Sequence, residues 1–219
     1  MRGLTGPATG SIIGIRWRFP FLLLVAVLSA FTGCAGNEPR RAQFPGDNKP
    51  NEGYAKVGGG TYMLPGAGEC KAVVLLFWGH DCPISNAYAP EITRLWREYS
   101  PKGVSFCVVY ADAKLTAEEA DKHKNEFGYP CIAILDPKMS LAIRVGATVT
   151  PEAAVLSAKG ERLYLGAIDD IYAGFGKRRS QPSCRYLKDA LDAALAGIRV
   201  PVSRTHATGC YIALPQRNY

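Results

Sequence analysis

Residues 71–78 read KAVVLLFW, a lysine followed by seven apolar residues, and four residues later the chain enters a helical pattern. An uncharged, β-branched run of that length is a strand buried on both faces of a sheet. Beyond it, Ile84, Tyr88, Ile92, Leu95 and Tyr99 form one apolar helical stripe, which predicts a helix over 84–99. The alternation then repeats. Val104–Tyr110 is a second buried strand, Thr116 to Glu119 opens a helix reaching Phe127 with a capping-box sequence, and Cys131–Leu135 is a short strand. A helical turn follows over 138–145. Ala153–Ser157 and Arg162–Leu165 flank Ala158-Lys159-Gly160 as a hairpin, and Cys184–Ala196 is a last helix stopped by Gly197. The order β-α-β-α-β-α-β-β-α implies an α/β layered fold whose closing hairpin makes the central sheet mixed.

The turn after the first strand carries the chemistry. In Phe77-Trp78-Gly79-His80-Asp81-Cys82-Pro83-Ile84-Ser85-Asn86, Cys82 sits where a strand ends and a helix begins. Pro83 suits the first helical position, where its missing N–H is not needed. Unpaired backbone N–H groups at such a corner favour the thiolate and make the cysteine a nucleophile. His80, two residues back, is a source of positive charge or a proton acceptor. The alternative is a buried, inert thiol.

The first 34 residues read as an address. Phe19–Phe31 is apolar and uncharged, and it follows Arg2, Arg16 and Arg18. At 13 residues it is shorter than the roughly 20 needed to span a bilayer, but it has the length of a signal-peptide apolar segment. Thr32 and Gly33 lead into Cys34. This stretch resembles a bacterial lipobox, in which the cysteine is acylated and becomes the mature N-terminus. The expectation is a signal peptide over 1–33, lipidation at Cys34, and a chain held by its lipid anchor in the cell envelope, on the periplasmic or extracellular face. Disulfides persist in that setting. Residues 34–69 are rich in Gly, Pro and Asn and read as a flexible tether, with a short extended segment near Tyr54–Met63 packing on the domain. The globular domain is then expected over 70–198, with a C-terminal tail over 199–219.

Of the formal charge of +7, the N-terminal arginines supply three, leaving +4 on the rest, with no basic run longer than Lys177-Arg178-Arg179. That balance does not support nucleic-acid binding.

The FWGHDCPIS turn, together with GATVTPEAAVLSAKGERLYLG, resembles the thioredoxin-like superfamily over about residues 70–198, within the redoxin branch related to the thiol-specific antioxidant proteins. The resemblance implies a thioredoxin-like fold with Cys82 as the first cysteine of the family's Cys-x-x-Cys. It also implies that Pro151 is the cis-proline and that the Thr150 backbone faces the active cysteine. CPISNAYAPEI, TPE, the IDD segment and the terminal TGCYI are similar to a subgroup of envelope redoxin-domain proteins. Some of that subgroup carry c-type haem, but this chain has no Cys-x-x-Cys-His. No cofactor is expected.

Departures from the pattern narrow the chemistry. Ser85 replaces the second cysteine, so no Cys-x-x-Cys disulfide forms. Peroxiredoxins place a proline and a Thr or Ser where this chain has Leu75 and Gly79, which counts against efficient peroxidase activity. Asn86 counts against a two-cysteine metal site, and no metal is expected.

A second thiol must therefore come from elsewhere. Cys107 lies inside a strand, and Cys70 and Cys131 start strands at the edge opposite Cys82. Residues 167–184 return on the active-site edge, making Cys184 one candidate and placing Asp169, Asp170, Arg178 and Arg179 on the rim. Cys210 is the other candidate. The 13 residues from Gly197 reach about 40 Å when extended, against about 20 Å for the final helix, so a mobile tail running back along that helix brings Cys210 to Cys82. A Cys70–Cys210 staple, or a free Cys210, remains open.

Three functions fit these residues. One is a thiol–disulfide oxidoreductase in which Cys82 attacks a disulfide and Cys210 or Cys184 resolves the mixed disulfide. The second is a thiol peroxidase, and the third a non-catalytic module that binds an extended peptide through the cis-proline loop. Trp78, His80, Pro83, Ser85, Thr150 and Pro151 are the expected substrate-contacting residues. The partners are a disulfide-containing protein, or a small thiol or peroxide, together with an external reductant.

Overall fold

The computed structural model describes residues 53–65 and 69–215. The apolar N-terminal segment, Cys34 and the first part of the expected tether lie outside the described residues.

Seven strands build the central sheet. They are β1 (Gly53–Lys56), β2 (Thr61–Met63), β3 (Ala72–Phe77), β4 (Val104–Tyr110), β5 (Ile132–Leu135), β7 (Glu152–Ser157) and β8 (Arg162–Gly166), the two-residue β6 (Val149–Thr150) lying outside this sheet. The order across the sheet is β2-β1-β5-β4-β3-β7-β8. β3, β4 and β5 are parallel to one another, while β7 runs antiparallel to β3, and β8 to β7. A mixed sheet flanked by helices, closed by a hairpin, is the thioredoxin-like arrangement expected from the alternation and the resemblance.

β3 explains why the sheet is central. Val74 and Leu76 point into one apolar layer and Val73, Leu75 and Phe77 into the other, all with no more than 2% exposure. The first layer is closed by α2 (Ala89–Tyr99), α3 (Ala117–Phe127) and α5 (Tyr186–Leu195), the second by α4 (Ser140–Val145). Thr116 caps α3 as its sequence predicts, accepting the Glu119 N–H while the Glu119 carboxylate receives the Thr116 N–H.

The helix expected over 84–99 is two helices. α1 (Pro83–Ala87) is little more than one turn, and α2 starts at Ala89. Pro90 has no N–H to continue the ladder and its ring crowds the carbonyl four residues back, so the helix breaks at Tyr88.

Residues 53–63, which the sequence places in the tether as a short packed extended segment, form the β1–β2 hairpin on the edge of the main sheet. β1 pairs antiparallel with β5, and Tyr54 and Tyr62 are buried. The glycines there serve the turn: Gly58, Gly59 and Gly60 all have positive φ.

The tail follows a different path from the one expected. Rather than returning along α5, it runs beside β8, where Arg204 bridges Leu165 in parallel. The Leu165 N–H donates to the Ser203 carbonyl at 3.0 Å and the Thr205 N–H to the Leu165 carbonyl at 3.1 Å. The Thr205 hydroxyl meets the Tyr164 hydroxyl at 2.5 Å and accepts the Ala167 N–H at 2.9 Å. The unpaired edge of β8 supplies backbone partners that a helix surface lacks. Further along, the tail forms β11 (Cys210–Tyr211), which pairs antiparallel with β6. Between β8 and α5, β9 (Tyr172–Gly174) and β10 (Lys177–Arg178) form a separate small hairpin.

Candidate active site

The pairing of Phe77 with Glu152 puts the end of β3 beside the start of β7. The turn that follows β3 and the loop that precedes β7 therefore lie together at one edge of the sheet. The first carries Cys82, and the second carries Thr150 and Pro151, joined by a cis peptide bond. Gly79 permits the close approach, because a Cβ there would lie 2.8 Å from Thr150 Oγ1 and 2.9 Å from the Cys82 Cβ.

Cys82 has 0% exposure. Its sulfur lies 3.1 Å from Cys210 Sγ and, as a thiol, donates to the Thr150 carbonyl at 3.3 Å. Burial pushes the Cys82 thiol up. The backbone N–H of Ser85, the Cys210 thiol, the Ser85 hydroxyl and the Cys210 backbone N–H all favour the thiolate, and together they bring Cys82 below the ordinary thiol value. Cys210 moves the opposite way. Burial, the hydrogen bond to Cys82 and the negative charges of Cys82 and Asp81 push it up to about 11. Of the two thiols, Cys82 is therefore the one that gives up its proton first and Cys210 the one that keeps it longer.

Ser85 and Trp78 occupy places the sequence did not anticipate. Ser85 has 0% exposure, and its hydroxyl and N–H both favour the Cys82 thiolate. Trp78, at 2% exposure, donates its indole N–H to the Tyr129 hydroxyl at 2.7 Å and packs under the turn. Both side chains are covered, like Cys82 itself. Pro83 is exposed at the first position of α1, and Pro151 and Thr150 are buried.

His80 is half-buried and does not serve the sulfur. Its ring faces Asp112 at 3.9 Å and lies edge-on to His123, centroid to centroid 6.4 Å. Its carbonyl accepts a hydrogen bond from the Asn86 side-chain amide at 3.1 Å. The Asn86 oxygen in turn lies 2.9 Å from His123 Nε2, and His123 Nδ1 is 2.7 Å from the Tyr110 hydroxyl. Since the Asn86 amide nitrogen is the donor to His80, its oxygen accepts, so His123 carries its proton on Nε2 and takes the Tyr110 hydrogen at Nδ1. This buried chain from β4 through α3 to α1 fixes the Cys82 turn. His123 was not identified from sequence, since it lies on no apolar stripe and in no motif, and Asn86 was read only as the place where a metal-ligating cysteine is missing.

Cys210, and not Cys184, is the second thiol at Cys82. Cys184 is exposed, and its backbone is held by Asp170, whose carboxylate accepts the Ser183 and Cys184 N–H groups at 2.6 and 2.8 Å. The neighbouring Asp169 is turned inward, 6% exposed, accepting the Tyr88 hydroxyl at 2.6 Å. Burial pushes its carboxyl above the usual range. Asp169 is thus a buried anchor of the loop and not a rim residue. Among the described residues no group of three or more His, Cys, Asp or Glu is arranged to hold a metal ion.

The model of the Redoxin family matches residues 45–171. No curated protein sequence matches the chain. Among solved structures, an uncharacterised conserved protein from Geobacillus kaustophilus is 28% identical with a TM-score of 0.66, the match covering 81% of this chain and 96% of that one. A hypothetical protein from Sinorhizobium meliloti is 22% identical with a TM-score of 0.65, over 75% and 91% of the two chains. A protein from Chlorobium tepidum, described as a candidate thiol:disulfide interchange protein DsbE, shares the fold at 20% identity and a TM-score of 0.52, over 68% and 96%.

Proposed function

We propose that this chain, which belongs to the redoxin family, is a thiol–disulfide oxidoreductase in which Cys82 attacks and Cys210 resolves. The observation that carries this reading is the 3.1 Å separation of the two sulfurs together with their opposite acidities.

The Cys82 thiolate attacks one sulfur of a substrate disulfide. A Cys82–substrate bond forms, the substrate S–S bond breaks, and the other substrate sulfur leaves as a thiolate that takes a proton from water. The charge on Cys82 is now gone. Two of the causes that hold the Cys210 proton, the hydrogen bond to Cys82 and its negative charge, go with it. Cys210 is thereby made more acidic at the stage when it must react. It loses its proton to solvent and attacks Cys82 Sγ, forming Cys82–Cys210 and releasing the second substrate thiol. The substrate disulfide gains two electrons and the protein dithiol loses them; an external dithiol restores the reduced form.

The direct test follows reduction of a model disulfide by wild type, Cys82→Ser and Cys210→Ser, with peroxide consumption measured in parallel. Cys82→Ser is expected to be inactive, and Cys210→Ser to stop at a mixed disulfide visible as added mass. Disulfide reduction by Cys82→Ser at the wild-type rate overturns the reading. Peroxide consumption far faster than disulfide reduction reassigns the substrate to peroxide.

The sequence also supports an extracytoplasmic chain anchored by acylation of Cys34. Two or more acyl chains contribute about 0.8 kcal/mol per buried CH₂, enough for firm attachment. Cys34→Ser is expected to release the protein from membranes, and an intact mature chain without lipid at that cysteine refutes the anchor.

A further inference from the structure

A Cys82 sulfur with 0% exposure meets no substrate while the tail is in place. The covering segment lies as an added strand: Cys210 pairs with Thr150 and Tyr211 with Val149, and the Ile212 N–H donates to the Thr148 carbonyl at 2.9 Å. Side chains alternate along it, with Tyr211 86% exposed and Ile212 8% exposed in the apolar layer beneath the sheet. Gly209 is pressed so closely on the loop that a Cβ would fall on the Thr150 carbonyl. Only two residues pair in this ladder, whereas the tail's hold on β8 at 203–205 is separate and upstream. The terminal strand can peel away while the rest of the tail stays fixed.

We propose that the tail strand is a displaceable occupant of a peptide-docking edge at 148–150, and that the protein partner replacing it offers an extended Gly-Cys-x-aliphatic segment. The reasoning is stereochemical. A chain that adds to this edge in the tail's own seat, with a cysteine over Cys82, meets the same Thr150 carbonyl one residue earlier, where a Cβ would lie 1.9 Å from the oxygen and glycine fits. Two residues later its side chain enters the place filled by Ile212, an apolar site. The tail competes from a tethered position, so it lowers the partner's apparent affinity by the fraction of time the edge is open. This deepens the oxidoreductase reading, on which the identity of the partner as a disulfide-bearing protein rests.

The probe is a fluorescent peptide with the sequence of residues 206–213 and serine in place of cysteine, so that no covalent step contributes. It is titrated onto the reduced full chain as wild type and as Gly209→Val, whose tail cannot seat. Binding is expected to be at least tenfold tighter to Gly209→Val. It is expected to vanish when the peptide's own glycine is changed to valine, and to weaken when its isoleucine is changed to serine. Ile212→Asp opens the edge by loosening the other end of the strand and serves where Gly209→Val does not fold. Equal affinity for wild type and the folded open variants, or binding to none of them, overturns the proposal. These readouts do not depend on Cys82 chemistry. Disulfide reduction lost in Cys82→Ser with no peptide binding therefore discards the docking edge alone. Peptide binding with full activity in Cys82→Ser discards the oxidoreductase reading alone.

Discussion

Cys210 stands opposite Thr150 in an antiparallel pair, and Thr150 also offers its carbonyl to Cys82 at 3.3 Å. One residue thus holds both thiols in register, and the Thr150 hydroxyl adds a bond to the Cys210 carbonyl at 3.4 Å. The two sulfurs, 128 positions apart in sequence, need approach by only about 1 Å to reach the 2.03–2.05 Å of a disulfide. Mild oxidation followed by digestion without reduction is expected to yield a Cys82–Cys210 peptide and none joining Cys82 to Cys184. A dominant Cys82–Cys184 or Cys70–Cys210 link is the contrary result.

Ser85 is where a second cysteine would stand in Cys-x-x-Cys, and here its hydroxyl and N–H both serve the thiolate. A hydrogen bond to a charged group contributes about 1.5–3 kcal/mol, so Ser85→Ala is expected to lower the Cys82 ionisation constant about tenfold or more. Alkylation of a variant retaining Cys82 as its only reactive thiol, followed against pH with and without Ser85→Ala, measures this. The midpoint moves upward if the hydroxyl matters, and an unchanged midpoint removes Ser85 from the site.

His123 makes stability depend on pH. Burial lowers its pKa, the nearby His80 lowers it further, and Glu126 opposes this weakly. The unfolded chain takes up the proton near the ordinary value of about 6.5, whereas the folded chain resists it. Below that pH the unfolded state binds more protons, so stability falls as pH falls. His123→Gln is expected to flatten this decline between pH 7 and 5, while costing about 1–3 kcal/mol at pH 7 through lost buried hydrogen bonds. Urea unfolding across that range decides it: a wild-type curve no steeper than that of the variant removes His123 as the source.

What the sequence made legible follows from how each element is stabilised. β3 and β4 are buried on both faces, and their continuous apolar runs are readable without knowing their neighbours. The β1–β2 hairpin shows only Tyr54 and Tyr62 on its buried side, too few positions for a period to emerge among glycines. The break at Tyr88 was signalled by Pro90 but hidden by an apolar stripe that continues across it. Chain length established that Cys210 could reach Cys82. It did not establish the route, because that depends on the free edge of β8, a property of the sheet and not of the tail. His80 has a neighbour's position in sequence, yet its ring is drawn toward Asp112 and His123, partners that only the tertiary fold brings near.

Thr205 is the pin that sets how far the tail strand can open. Its side-chain oxygen joins the Tyr164 hydroxyl and the Ala167 N–H, and its backbone joins Leu165. Thr205→Val keeps the shape and the backbone bond while deleting both side-chain bonds, a loss of about 0.5–1.5 kcal/mol each. If the upstream hold restrains the covering strand, part of that loss appears as more frequent exposure of the Cys82 sulfur. Alkylation of Cys82 is then expected to quicken severalfold at every pH with its midpoint little moved while the closed form predominates, since the Cys210 donors leave the sulfur only in the open fraction. Hydrogen exchange of residues 209–212 is expected to quicken in parallel. A faster reaction accompanied by a shifted midpoint points to rearrangement at the sulfur itself, and an unchanged rate shows that the strand opens independently of its anchor on β8.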